Sequence, residues 1–110
     1  MNISTRDDGQ IRIIDLVGNM DTNTAPAAEA EISRLTDEGT IKILTNLEKL
    51  DYISSAGLRV LLATTKQLRS SGGDLRICCL NEVVQEVFDI SGFSTILSVF
   101  ATEADAIEGF

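Results

Sequence analysis

Two adjacent hydroxyls, Ser54 and Ser55, stand in the run Asp51-Tyr52-Ile53-Ser54-Ser55-Ala56-Gly57-Leu58, where a strand pattern hands over to a helix pattern. Hydroxyls at a helix amino terminus lie among backbone N–H groups without intrahelical acceptors, and the helix dipole adds positive potential there. Either serine can cap the helix by accepting one of those N–H groups. Either can also carry a phosphate, because the same amides and dipole stabilise an anion by about 0.3–1 kcal/mol. The third chemistry open to a serine, nucleophilic attack, needs a neighbouring base. The chain has no histidine, and of the nearby lysines, Lys49 and Lys66, the second falls about three turns along the helix. No catalytic residue is assigned, and the chain is not read as an enzyme.

The elements that must hold this corner follow from punctuation and periodicity. Residues 2–6 form a short strand, Asp8-Gly9 a hairpin turn, and the Ile-rich run from Gln10 to Val17 a second strand ending at Gly18. Thr24 and Pro26 open a helix whose Ala25, Ala28, Ile32 and Leu35 recur at helical spacing up to Gly39. Thr40 to Leu47 is a central strand, with Ile41, Ile43 and Leu47 on one face and Leu44 on the other. The helix after Ser54 or Ser55 carries a core stripe of Leu58, Leu61, Leu62, Thr65 and Leu68 and stops at Gly72-Gly73. A strand from Asp74 to Leu80, a short helix capped by Asn81 and running through Phe88, a turn at Ser91-Gly92-Phe93, a last short strand from Thr95 to Phe100 and a helix from Glu103 to Ile107 complete the chain. Strands alternating with helices predict an α/β layer structure with a largely parallel sheet after the initial hairpin.

Composition bounds the partners. With 110 residues, 44% hydrophobic and 24% charged, the chain suits one self-sufficient domain, residues 1–110. A net charge of −8, from 17 acidic against 9 basic residues, repels phosphate backbones and anionic lipid. Nucleic acid and direct membrane insertion are therefore not expected, and a basic protein partner is. No apolar run approaches the roughly 20 residues that span a bilayer, and no signal sequence is apparent, so a cytoplasmic location is expected. Cys78 and Cys79, as neighbours in a strand, are expected to point to opposite faces, to form no disulfide and to behave as small buried hydrophobes.

The segment Leu47-Glu48-Lys49-Leu50-Asp51-Tyr52-Ile53-Ser54-Ser55-Ala56-Gly57-Leu58, preceded by Gly18-Asn19-Met20-Asp21 and followed by Phe88-Asp89-Ile90-Ser91-Gly92-Phe93, resembles the STAS-domain anti-sigma factor antagonists, regulators of bacterial partner switching. The resemblance spans the whole chain. It implies a STAS fold: a mixed, mostly parallel four- to five-stranded sheet with an amino-terminal edge hairpin and about four helices. It also implies that Ser55, two positions before Gly57, is phosphorylated by an anti-sigma factor serine kinase. The unmodified form would capture that kinase and free a sigma factor, and a metal-dependent serine phosphatase would reset the switch. No cofactor and no metal site of its own is implied. Ser54 stands where the familiar pattern has an aspartate, which makes Ser54 a second candidate phosphosite and leaves Asp51 or Asp21 to supply the local acidic group. The expected partner-binding surface comprises Asp21, Asp51, Ser54, Ala56, Gly57 and Arg59.

STAS domains also serve in lipid-transport ATPase complexes and stress-signalling scaffolds, so a subunit of such an assembly is the alternative function. A nucleotide-binding role finds no support in the pattern. No Gly-x-x-x-x-Gly-Lys loop is present, and Gly72-Gly73 ends a helix where a phosphate cradle would begin one.

Overall fold

A computed structural model describes residues 1–110. Strand β1 (Asn2–Asp8) turns at Gly9, whose φ is 61°, into β2 (Ile11–Met20), with Asp8 opposite Ile11. Then follow α1 (Ala25–Asp37), β3 (Lys42–Asn46), β4 (Leu50–Ile53), α2 (Ser55–Ser70), β5 (Asp74–Cys78), α3 (Glu82–Ser91), a single turn of 3-10 helix at Phe93–Thr95, β6 (Ser98–Phe100) and α4 (Glu103–Ile107). The strands lie in the order β1-β2-β3-β5-β6, with β4 paired beside the far end of β2. All pairings except the initial hairpin are parallel.

The α/β sheet with its edge hairpin and four helices is the architecture expected. The sheet has six strands because Leu50–Ile53 forms one of its own, and Gly18 does not end β2. Instead β2 pairs with β3 through Asp15 and with β4 from Gly18, and the register shifts there, with Gly18 opposite Leu50 and Asn19 opposite Tyr52. Asp51 is the extra residue of this bulge, and Gly18 adopts a φ of 105° that a side chain would resist. A bulge re-aims a strand locally, which lets β2 serve two neighbours in succession.

The main core lies between one face of the sheet and α1, α2 and α3. Ala25, Ala28, Ile32 and Leu35 of α1, Leu58, Leu61 and Leu68 of α2, and Val84 and Phe88 of α3 are buried there, as their spacing predicts. Leu62 packs against this core while only partly buried, and Ile41 remains exposed beyond the start of β3. Register places Ile14, Thr45, Ile77 and Val99 in one row across four strands. Thr45 is the polar member of that row; its hydroxyl is fully buried and lacks a hydrogen-bond partner. Thr45→Val keeps the shape and removes the unsatisfied group, so the variant is expected to gain about 1 kcal/mol of stability, read as a higher urea midpoint with unchanged slope.

The opposite face carries a smaller core of Ile11, Ile13, Leu44 and Cys78 under Ala106 of α4. Arg76 stacks on the rings of Phe100 and Phe110, at 5.1 and 4.5 Å from their centroids, and donates to the carbonyls of Ala106 and Glu108. Cys79 corrects the strand reading. β5 ends at Cys78, and Cys79 takes a left-handed φ of 66°, so its side chain turns back onto the face that Cys78 occupies instead of the opposite one.

Glu103 fastens the start of α4 by accepting from Arg6 and from Asn46 Nδ2, the latter at 3.1 Å. The Arg6 guanidinium, and then the Asn46 amide, hold the Glu103 carboxyl below the usual carboxylate range. A carboxylate whose folded pKa is depressed contributes stability above its unfolded pKa and loses it as pH falls through the folded value. Protection factors of the α4 amides, taken against intrinsic exchange at each pH, are therefore expected to fall as pH is lowered from about 5 toward 3, and to fall less in Glu103→Gln.

Candidate functional site

The far end of β2, the short strand β4 and the start of α2 meet at one corner. The backbone joins them directly: Gly18 N–H donates to Lys49 O at 3.0 Å, and Ser54 N–H donates to Met20 O at 2.8 Å. Gly57 permits this approach. A methyl group on it would sit 2.8 Å from Ile53 Cγ1, 2.9 Å from Met20 Cγ and 3.1 Å from Met20 O, so only hydrogen fits where the first turn of α2 lies on the paired ends of β2 and β4.

The two serines take different parts. Ser54 has extended backbone (φ −93°, ψ 173°) and is the helix N-cap; its Oγ accepts from Gly57 N–H at 3.4 Å, and its carbonyl accepts the Leu58 amide. Ser55 is the first helical residue, is exposed, and stands in the first turn, whose amides lack intrahelical acceptors. One hydroxyl is occupied by the cap and the other is open to solvent, a division the sequence left undecided.

Asp21 lies in the turn leading into α1. Its Oδ1 accepts from the amides of Asn23 and Thr24 at 2.9 and 3.0 Å, and these bonds, the Thr24 amide first, hold its carboxyl below the usual range. Its backbone carbonyl accepts the Ala25 amide, while Thr24 Oγ1 accepts from the Asp21 amide and donates to Asn19 O. Thr24 occupies the N-cap position of α1 without making the cap bond: its hydroxyl is turned back to the Asp21 amide and Asn19 O, and the Ala25 amide goes to the Asp21 carbonyl. Asp51, on the bulge, is exposed and forms no ion pair within 4 Å.

Ala56 and Arg59 point along α2 toward α1. With Thr22, Pro26, Glu29 and Val60 they line a shallow groove of about 350 Å³ between the two helices. The structure thus brings Ser54, Ser55, Ala56, Gly57 and the Asp21 turn to one end of the sheet, with Arg59 one turn further along α2 and Asp51 on the adjoining strand. Two contributors escaped the sequence reading. Asn81 caps α3 by accepting from Val84 N–H at 2.8 Å, as its position predicts, but its Nδ2 also donates to Leu50 O at 2.9 Å and ties α3 to β4. Tyr52 presents a 45% exposed ring on β4; its alternation with buried Ile53 was the available signal.

A six-stranded mixed sheet with an amino-terminal hairpin, and a serine-bearing helix start held against a Gly-x-x-Asp turn, define a class of regulatory domain. The model of the STAS domain family matches residues 2–106, and the chain belongs to that family. It is 43% identical over 103 residues to a candidate anti-sigma factor antagonist, BtrV, of Bordetella bronchiseptica, covering 94% of this chain and 88% of the relative. Among solved structures, an anti-sigma factor antagonist candidate from Thermotoga maritima superposes with a TM-score of 0.92 at 21% identity, covering 96% of this chain and 92% of that one. The Bacillus cell-fate determinant SpoIIAA, an anti-sigma factor antagonist solved in unphosphorylated and phosphorylated forms, gives TM-scores of 0.83 and 0.74 at 24% identity. Each alignment covers 97% of this chain, with 94% and 97% of the respective SpoIIAA chains. At such identities the structural likeness speaks for the fold.

Proposed function

We propose that this protein is an anti-sigma factor antagonist that works without enzymatic activity of its own. In this reading the unmodified form captures an anti-sigma factor serine kinase through the Ser55 corner and so frees a sigma factor. Transfer of phosphate to Ser55 ends the capture, and a metal-dependent serine phosphatase restores it. The setting would be the cytoplasm, where the kinase meets ATP.

The observation that carries this reading is the unoccupied Ser55 hydroxyl, exposed at the start of α2 while Ser54 does the capping. A kinase must reach a hydroxyl that the fold does not use, and the helix start then tolerates the added charge. The name of the Bordetella relative supports the same assignment. The docking surface would extend from Ser55 over Ala56 and Arg59, with the Asp21 turn on one side and Asp51 on the other. A phosphate there adds almost two negative charges beside two carboxylates and must be desolvated on docking, which makes one modification enough for a switch.

Calorimetric titration of the unmodified protein into the cognate kinase, without ATP, tests the capture. A saturable complex with submicromolar Kd is expected, and the absence of heat at micromolar concentrations would refute capture by that kinase.

A further inference from the structure

Cys78 and Cys79 are the two cysteines of the chain, and both are free thiols. They lie at the end of β5, and the function proposed above makes no use of them. In a regular strand adjacent side chains diverge to opposite faces. Here Cys79 is the one residue other than glycine with a positive φ, 66°, and the left-handed turn folds its side chain against the small core that contains Cys78. The Cys79 amide is held in this conformation by donating to Phe100 O at 3.2 Å. Cys78 is fully buried and Cys79 is half-buried, so one thiol of the pair is reachable from solvent and the other waits behind it. Burial, and then the hydrogen bond with Cys79, push the Cys78 thiol well above its ordinary range, which leaves Cys79 as the group that reacts first.

We infer that Cys78 and Cys79 form a reversible redox site that closes to a vicinal disulfide on reaction with a hydroperoxide. The Cys79 thiolate attacks the peroxide oxygen, the O–O bond breaks, an alcohol or water leaves, and Cys79 becomes a sulfenic acid. The Cys78 sulfur then attacks the Cys79 sulfur; the S–O bond breaks, and the departing hydroxide takes the Cys78 proton as water. In sum two thiols lose two electrons and two protons, and the hydroperoxide is reduced to alcohol and water. The product is an eight-membered ring across one peptide bond. Neighbouring Cα atoms are about 3.8 Å apart, short of the roughly 4.4–6.8 Å of relaxed disulfides, so the bond is strained and easily reduced. Such a bond suits a sensor and is a poor staple.

The site is wired to the rest of the fold. Cys78 O accepts the Leu47 amide at 3.0 Å, and Asn81, two residues beyond Cys79, donates to Leu50 O. Ring closure therefore strains the segment that leads into β4.

The test treats the folded wild-type protein with a small excess of hydrogen peroxide, unfolds it in denaturant, blocks remaining thiols by alkylation and measures intact and peptide masses. The expected product is a monomer lighter by two hydrogens, with neither cysteine alkylated, returning to two alkylatable thiols after dithiothreitol. Cys78→Ser should instead stop at a Cys79 sulfenic acid that dimedone traps. Over-oxidation of Cys79 with Cys78 still alkylatable, a dimer linked through Cys79, or two unreacted thiols would each overturn the inference.

Discussion

Ser55→Asp is expected to bind the anti-sigma factor kinase about 100-fold more weakly than wild type, while Ser55→Ala binds it as tightly as wild type. The difference, about 2.7 kcal/mol, lies within the 2–5 kcal/mol typical of an unpaired charge buried at an interface. It arises at the interface and not in the fold. Ser55 is exposed in the first turn of α2, where a carboxylate faces free amides and the positive end of the helix dipole, so Ser55→Asp should be as stable as wild type or more stable by about 0.3–1 kcal/mol. On docking, the same carboxylate loses its water and lies beside Asp21 and Asp51, which supply no countercharge. Calorimetric titration of both variants, with thermal unfolding run in parallel, separates the two effects. Equal affinities would remove the electrostatic basis of the switch.

A second large effect is expected far from the corner. Gly73→Ala should destabilise the protein by about 3 kcal/mol or more, a fall in Tm of more than about 10 °C. After α2 the chain has only Ser71, Gly72 and Gly73 in which to return to the sheet. Gly72, at φ 85°, donates to Arg69 O; Gly73 N–H donates to Leu68 O at 2.8 Å; the Asp74 amide then reaches Ile41 O. A methyl group on Gly73 would lie 1.8 Å from Ile41 O and 2.6 Å from its carbonyl carbon, so the start of the β3–β5 ladder must move. Gly72→Ala meets no atom within 4 Å and bears only the cost of the left-handed backbone, about 1 kcal/mol. The ordering of the two variants, by thermal or urea unfolding, is the prediction. A harmless Gly73→Ala would mean that the return to β5 is looser than described.

These two positions illustrate what could be read from the residues alone. The Gly-Gly pair identified the end of α2, yet which glycine was sterically indispensable depended on Ile41, a strand away. The helices were legible because Ala25, Ala28, Ile32 and Leu35, and likewise Leu58, Leu61 and Leu68, obey one period over several turns. Strand β4 was not: four residues with two exposed in the middle give too short a pattern, and its partner is the tail of β2, which Gly18 appeared to close. Cys79 departs from the expected alternation because alternation requires the strand to continue, and β5 stops one residue earlier.

At the site, composition and spacing singled out the segment from Asp51 to Leu58 but could not divide the work between Ser54 and Ser55. That division depends on which hydroxyl turns toward the Gly57 amide. Asp21 is open, on sequence, between turn stabiliser and interface residue; in the structure its Oδ1 accepts from the Asn23 and Thr24 amides of the turn before α1. The bond from Asn81 to Leu50 O spans 31 residues, beyond the reach of any local pattern.

The most direct test of the account is the site and consequence of phosphorylation. Purified protein, incubated with its anti-sigma factor kinase and Mg-ATP, should gain one phosphate, located on Ser55 by peptide mass, absent from Ser55→Ala, and accompanied by dissociation of the complex on a sizing column. Phosphate on Ser54 instead, or a complex that persists unchanged after Ser55 is fully modified, would contradict it.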